Sequence, residues 1–400
     1  MNIKGSRKLA LLGSAIFAEV EEWKSEARRM GHTVIDLSIG SPDLAPPSAV
    51  VDALIAAASD AGNYRYPLSE GMPEFRGKAA EWLRWRYGAE VDPSRELIAL
   101  MGSQDGLAHL ALALCDPGDL ALVPNPGYPI YAAGLAVAGV EPHFMPLRSD
   151  NGFLPRLDRI PAAAADKAVF MLLNYPSNPL SAVADLAFLE EAVHFARRHE
   201  LFIVHDLAYG EMAFDGFRPP SILQVPGAKE VALEFHSLSK SFNMAGCRIG
   251  FAAGCEGAVQ ALRKLKGNID FGVFQAVQRA GIAALEEHMN GRGPDVAGIY
   301  QRRRDRFLEE MRRAGWDIPK PAATMFVWAP IPPGWTSRGI SREMLLQTGV
   351  AVIPGDAFGS EGEGYVRFAL VQPEEALVEA AGRIGRFLKE AVPLPEKADV

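Results

Sequence analysis

Lys240 stands among three hydroxyls, Ser237, Ser239 and Ser241, in a polar stretch between two apolar runs. Arg248 follows within the same connection. A lysine amine becomes a nucleophile when its surroundings lower its pKa, and it then forms Schiff bases with aldehydes and ketones. A guanidinium with two hydroxyls suits a phosphate, because the planar fork gives paired hydrogen bonds. An aldehyde that also carries a phosphate is pyridoxal phosphate (PLP), so this stretch has the chemistry to hold that cofactor. The same residues also fit an ordinary solvated turn, and on this stretch alone both readings stand.

A rival pattern is the Ser-x-x-Lys of serine β-lactamases and penicillin-binding proteins, which Ser237 and Lys240 match. The Ser-Asp-Asn expected after it instead precedes it, at residues 149–151, and Lys-Thr-Gly occurs nowhere. That rival is set aside.

The elements around the lysine are legible from their apolar runs. Val231 to Phe235 reads as a buried strand leading in, and Ile249 to Ala253 as a strand leading out. Upstream, strand and helix alternate: strands at 97–101, 120–123, 141–147, 168–173 and 201–204, with helices at 107–114 and 185–199 between them. Alternation of this kind predicts a doubly wound α/β domain with a mostly parallel sheet, whose ligands gather at the C-terminal strand ends. Gly102 to Gly106 lies between a strand and a helix, where free amides and the helix dipole favour a phosphate. An amphipathic helix over 14–30, a helix opening near Pro73, a long polar helix over 295–314 and strands at 323–329 and 365–370 complete the outline.

Bulk properties bound the function. Four hundred residues with 48% hydrophobic content are enough for one large domain and a smaller one. A net charge of −8 argues against nucleic acid or an acidic membrane as the main partner. Three cysteines, Cys115, Cys247 and Cys255, are too few and too unpatterned for a disulfide framework or a zinc cluster, so a reduced, cytoplasmic setting is the expectation. Residues 1–12 are basic but lack the apolar core of a signal peptide, and no apolar run reaches the roughly 18 residues of a membrane span.

Ser237-Leu-Ser-Lys-Ser-Phe-Asn-Met-Ala-Gly-x-Arg-Ile-Gly250 resembles the PLP-lysine signature of the class I/II, fold-type I aminotransferases. The resemblance extends over roughly residues 35–370 through separate motifs in the family's order. It implies a seven-stranded, mostly parallel sheet in a large PLP-binding domain at 45–285. Residues 1–44 and 286–400 would form the smaller α+β domain. It implies catalytic roles for Lys240, Asp206 and Tyr209. Lys240 holds PLP and then serves as general base, Asp206 keeps the pyridine nitrogen protonated, and Tyr209 donates to the phenolic oxygen. Ser103 and Gln104, with Ser237 and Arg248, would contact the phosphate, and Tyr128 would stack on the ring. Stacking of this kind contributes roughly 0.5–1.5 kcal/mol beyond burial. Asn178 would hydrogen-bond both cofactor and substrate carboxylate, Gly40 would lie beside that carboxylate, and Arg367 would clamp it.

The resemblance also implies a homodimer in which Tyr66 reaches the phosphate of the neighbouring subunit. Phe271 to Gln275 resembles the family's subunit-interface loop. The chain departs from the family at Asn178-Pro-Leu-Ser181, where Asn-Pro-Thr-Gly is usual, and this puts the local turn geometry in question. Cys247 replaces a common tryptophan and reads as packing. His205 reads as structural.

The function implied is ping-pong transfer of an amino group between an amino acid and a 2-oxo acid such as 2-oxoglutarate. Tyr66 to Arg76, Asn151 to Pro155, Ala213 to Pro220 and Glu234 to Lys240 are similar to the LL-diaminopimelate aminotransferase branch, which makes that diamino diacid the leading donor. Alanine, aromatic or other donors, and a PLP-dependent β-lyase on the same fold, remain alternatives. A diamino diacid needs a second polar cluster beyond Arg367, and none is placed from the sequence. A PLP-sensing regulator would need a fused DNA-binding module, for which residues 1–30 are too short.

Overall fold

A computed structural model describes residues 5–12 and 15–390. Its strands, in chain order, are β1 (Ile35–Asp36), β2 (Leu97–Leu100), β3 (Leu120–Asn125), β4 (Glu141–Pro146), β5 (Ala168–Asn174) and β6 (Phe202–Asp206). There follow β7 (Ala232–Ser237), β8 (Gly250–Gly254), β9 (Phe326–Pro330), β10 (Val350–Ala351), β11 (Ile353–Pro354) and β12 (Tyr365–Ala369).

Seven of these form one sheet in the order β2-β8-β7-β6-β5-β3-β4. The pairings from β4 across to β7 are parallel, and β8 runs antiparallel to both β7 and β2. The sheet is seven-stranded, mostly parallel and part of an α/β fold, as expected. The central strands read as unbroken apolar runs because helices cover both faces. One face packs under helices 73–87, 186–198 and 275–289, with Phe75, Trp82, Leu189 and Leu285 in its core. The other packs under helices 103–114, 130–138 and 256–269, with Leu107, Leu135 and Leu262.

A separate core gathers the C-terminal elements. Helices 296–313, 337–348 and 374–390 bury Phe307, Met344 and Ile384 against the antiparallel sheet β11-β12-β9. β1 joins this region through its parallel pairing with β10. The chain after β6 also enters it: Tyr209, Met212 and Phe214 belong to this second core, and Thr324 N donates to Met212 O at 2.7 Å. The seven-stranded sheet and the C-terminal core are thus stitched together by the chain that follows Asp206.

Two local expectations change. The first is the corner after β2, where the helix begins at Ser103 and not at Leu107. Gly102 makes the whole turn with φ +76°, and Asp105 accepts from the Met101 amide at 2.9 Å, so four fewer residues are needed. Ser103 and Gln104 are therefore the first turn of the helix, where amides lack intrahelical acceptors. The second is the helix at 14–30. It runs Ala15–Arg29, and the expected start at Ser14 lies outside the described residues, as do residues 1–4 of the basic N-terminal stretch.

No helix among the described residues is long and apolar enough to cross a membrane.

Candidate active site

β3 lies between β4 and β5, so the connections leaving β3 and β5 diverge and open a crevice at the C-terminal end of the sheet. A cavity of about 540 Å³ occupies it. Gly40, Ser103, Gln104, Tyr128, Asn178, Asp206, Tyr209, Ser237, Lys240, Arg248 and Arg367 all line this cavity. Tyr66 does not. It is 87% exposed, and its ring lies against that of Phe271, with centroids 5.6 Å apart.

Lys240 rides on a single helical turn, Leu238–Ser241, directly after β7. Ser237 Oγ accepts from the Ser239 amide at 3.2 Å and caps that turn. The Lys240 ammonium donates to Gly40 O at 2.7 Å. Burial, then the nearby Arg367 and Arg248 charges, lower its pKa from 10.5 to about 8. About a tenth of this amine is therefore neutral at pH 7, far more than of an ordinary lysine, which favours its use as a nucleophile or base.

Asp206 ends β6 and is buried. Burial raises its pKa; Tyr131 OH, donating to Oδ2 at 2.8 Å, and the Ala208 amide, donating to Oδ1 at 3.1 Å, work against that rise. Asn174 holds the same strand end from the side: its Nδ2 donates to Asp206 O at 2.9 Å and its Oδ1 accepts from the Asn178 amide at 2.8 Å. Arg367, 4% exposed, donates to Asn178 Oδ1 and Ser38 O at 2.8 Å each, while its Nε has no partner. The guanidinium lies between the Phe326 and Phe358 rings, 4.2 and 4.7 Å from their centroids. Burial pulls its pKa down to about 10. No carboxylate of the described residues meets it. A buried guanidinium facing a cavity without a counter-charge is built for an anionic ligand.

Two glycines shape the site. A Cβ at Gly40 would stand 2.4 Å from the Phe326 ring that stacks on Arg367. At Gly102, besides the positive φ, it would stand 2.6 Å from Arg248 Nη2. Arg248 itself lies against Ser239 Oγ at 3.4 Å and Ala245 O at 3.1 Å. The helix opening at Ser103, Arg248, Ser237 and Ser239 bring amide, guanidinium and hydroxyl donors to one cavity, a donor set of the kind that suits a phosphate.

The questioned turn has an answer. Ser181 adopts φ +56°, a conformation that glycine reaches without strain, and its Oγ meets Thr324 Oγ1 at 2.7 Å and Phe326 O at 2.9 Å. These contacts hold a non-glycine residue there, while Leu180 packs into the core beneath. Cys247 packs half-buried against the main core, as expected. His205 points to the far face of the sheet, onto Glu234.

Sequence reasoning missed Tyr131, Asn174, Ser38 and Phe326 as site residues, and it noted Ser239 only as one of the hydroxyls beside Lys240. Tyr131 and Asn174 had a signal: one lies a helical turn after Tyr128, and the other is the polar end of an apolar strand. Ser38 contributes only its carbonyl, which no side-chain pattern reveals. The ionisable side chains lining the cavity are Asp206, Lys240, Arg248, Arg367 and the tyrosines; beside them the partly exposed Leu12, Phe17 and Ile39 are apolar. No second polar cluster for a distal carboxylate lines the cavity among the described residues.

A buried lysine of lowered pKa and an acid at the next strand end of the seven-stranded sheet meet, in one cavity, an uncompensated arginine from the C-terminal sheet, a set suited to binding and moving an amine beside an anion. Comparison with known proteins agrees. The family model for aminotransferase class I and II matches residues 32–384. The LL-diaminopimelate aminotransferase of Moorella thermoacetica is 48% identical over 383 residues, covering 96% of this chain and 98% of that protein. Among solved structures, apo-BacF from Bacillus subtilis superposes with a TM-score of 0.92 at 38% identity, over 99% of both chains. A probable N-succinyldiaminopimelate aminotransferase from Thermus thermophilus superposes with a TM-score of 0.86 at 42% identity, covering 93% of this chain and 99% of that one. The chain belongs to the class I and II aminotransferase family, and it is an enzyme that transfers amino groups.

Proposed function

We propose that the chain is a PLP-dependent aminotransferase whose leading donor is LL-diaminopimelate and whose acceptor is a 2-oxo acid such as 2-oxoglutarate. The observation that carries the chemistry is the pairing, in one cavity, of a Lys240 amine of lowered pKa with an Arg367 guanidinium that lacks an anion. Ser103, Gln104, Ser237 and Arg248 would hold the cofactor's phosphate, Tyr128 its ring face, Asp206 its ring nitrogen, and Asn178 and Tyr209 its phenolic oxygen. PLP, when bound, supplies an aldehyde carbon that takes up an amine and a ring that accepts the electrons left when a Cα–H bond breaks.

The chain's own residues do the rest. Arg367 binds the α-carboxylate of donor and acceptor alike, with Asn178 fixing the guanidinium and Gly40 leaving room beside it. This orients the Cα–H bond towards Lys240. The neutral amine of Lys240 takes the proton from Cα, holds it at Nζ as the ammonium and gives it back to the reacting molecule to regenerate the free amine, which is why its pKa must lie near the working pH. Phe326 and Phe358 keep water from the guanidinium and strengthen its hold on the carboxylate. One carboxylate site serves both half-reactions, so the first product leaves before the second substrate binds.

The donor rests on the relatives' names and on the similar stretches. The apolar Leu12, Phe17 and Ile39 favour a second reading, an aliphatic or aromatic donor. A donor panel in single half-reactions tests both: each amino acid is mixed with the PLP-loaded enzyme without acceptor, and release of its 2-oxo acid is timed. Alanine or phenylalanine reacting far faster than diaminopimelate overturns the named donor and leaves the aminotransferase standing; catalytic release of ammonia would instead indicate a β-lyase.

The large unit at 45–285 and the smaller one built from 1–44 and 286–400 are part of the proposal, supported by the two separate cores. So is a homodimer. Exposed Tyr64, Tyr66, Leu68, Phe271 and Phe274 form an apolar patch, with Tyr64 and Phe274 centroids 5.4 Å apart, and a second copy covering it would bring Tyr66 to its partner's phosphate. Three unpaired cysteines fit a reducing, cytoplasmic setting.

A further inference from the structure

Behind the cofactor-facing ends of β6 and β7, on the opposite face of the sheet, lies a buried cluster that the chemistry above does not use. Strand alternation turns Asp206 and Ser237 towards the cavity and their neighbours His205 and His236 away from it. Glu234 shares the far face and stands directly opposite His205 in the parallel pairing. Its carboxylate takes four donors. His205 Nδ1 at 2.9 Å and the Ile222 amide at 2.8 Å reach Oε2; His236 Nε2 at 2.8 Å and Ser221 Oγ at 2.6 Å reach Oε1. The His236 ring is stacked on Phe251 with centroids 4.8 Å apart. His205 Nε2 has no partner, so Glu234 supplies the one side-chain hydrogen bond that orients this ring.

A fully buried carboxylate is a poor means of stabilising a core, since apolar residues of similar volume often do as well or better. A carboxylate held by four donors supplies direction instead, because each donor must keep its angle. His205 is covalently next to Asp206. His236 is next to Ser237, whose hydroxyl caps the turn carrying Lys240. We infer that Glu234, with His205 and His236, is a positioning residue for the cofactor site, tying β6, β7 and the Ser221–Ile222 turn together so that Asp206 and Lys240 keep their spacing. The two imidazoles also favour the ionised form of Asp206 against its burial.

This inference rests on the PLP reading of the cavity. The test compares Glu234→Met, His205→Asn and His205→Leu with the wild-type chain. It measures the PLP dissociation constant of the apo protein by fluorescence quenching, the pH midpoint of the bound cofactor's absorption band, kcat, KM and thermal unfolding. Glu234→Met and His205→Leu should unfold cooperatively near the wild-type temperature yet bind PLP about tenfold more weakly, the scale on which outer-shell partners act. Their pH midpoint should shift, and kcat should fall while KM holds. His205→Asn keeps an N–H donor near the Nδ1 position and should restore wild-type values. Wild-type PLP affinity and pH midpoint in both disruptive variants overturn the inference. If Glu234→Met does not fold, the histidine pair decides, and equal PLP affinity in Asn and Leu overturns it. A wild-type chain that takes up no PLP overturns this inference and the cofactor reading together.

Discussion

Lys240 and Lys266 are both buried lysines, and their surroundings are opposites. The Lys266 ammonium meets Asp105 Oδ2 at 2.5 Å and the two Asp270 oxygens at 2.9 and 3.1 Å. Asp105 in turn accepts from the Met101 amide and meets His109 Nδ1, so helix 256–269 is fastened to the helix that opens at Ser103. Asp105, His109 and Asp270 have a spacing that could suit a metal ion, but the ammonium already lies against both carboxylates. Lys240 has one carbonyl, and the charges nearest it are positive. The arginines repeat the contrast. Arg303 grips Asp43 through two nitrogens at 2.7 Å each and also donates to Leu370 O, whereas Arg367 finds only an amide oxygen and a carbonyl. Burying a charge is costly unless it is paired. The paired set holds the fold together, and the unpaired set is the one we assign to substrate and cofactor.

The comparison breaks most visibly at the lysines themselves. Lys240→Ala should lose turnover by on the order of 10⁴-fold, since the covalent anchor and the base vanish together. Its unfolding should stay close to wild type. Lys266→Ala should do the reverse: two partly buried carboxylates that keep only their amide and His109 contacts lose the shared ammonium, at a cost of roughly 3 kcal/mol, visible in urea unfolding, with kcat per folded molecule little changed. Similar kinetic losses in both variants would erase the distinction.

Asp206→Asn comes next. The side chain is nearly isosteric, so the fold should persist, but the ring nitrogen loses its counter-charge and kcat should fall by roughly 10²–10³-fold, the scale of one pre-organised electrostatic contact. A loss of only two- or threefold, in steady-state assays at saturating donor, contradicts that role.

Arg367→Lys keeps the charge and loses the fork. Charged hydrogen bonds are worth roughly 1.5–3 kcal/mol, so KM should rise by about 10- to 100-fold for donor and acceptor together. A rise for one substrate alone would assign the α-carboxylate to another residue.

The smallest effect is on stability against pH. In the apo chain the Lys240 amine is neutral above about 8, whereas unfolded it keeps its proton up to about 10.5. Within that window the unfolded chain binds more protons, so folding stability rises with pH. Urea midpoints of wild type and Lys240→Met should therefore converge as pH climbs from 8 to 10; parallel curves would mean that the lysine is not desolvated.

Much of the fold was legible because the sheet is buried on both faces. Runs such as Ala168 to Leu173 and Leu201 to Val204 are continuously apolar, and the residues just beyond them are polar and chemically marked: Asn178 after one, Asp206 after the other. The motif around Lys240 pointed to the family, and Arg367, picked out by its place after Pro354-Gly, lines the same cavity as Lys240. Less legible were contacts made by groups without a sequence signature. Ser38 acts through its carbonyl, Phe326 through a ring face from another core, and Asn174 through hydrogen bonds to neighbouring backbone. The helix start at Ser103 was misplaced because two glycines in five residues read as a long turn, while the φ of Gly102 alone completes the corner. The group that reads the donor's distal end was invisible for another reason: in the cavity of this chain the neighbouring side chains are Leu12, Phe17 and Ile39, which carry no charge pattern.

The most direct test of the central claim traps the cofactor where it sits. The purified chain is incubated with PLP, reduced with borohydride, digested and mapped by mass spectrometry. The account predicts a pyridoxyl-phosphate adduct on the peptide containing Lys240, at close to one per chain, and none on the peptide containing Lys266. An adduct spread over surface lysines, or its absence from Lys240, would contradict it.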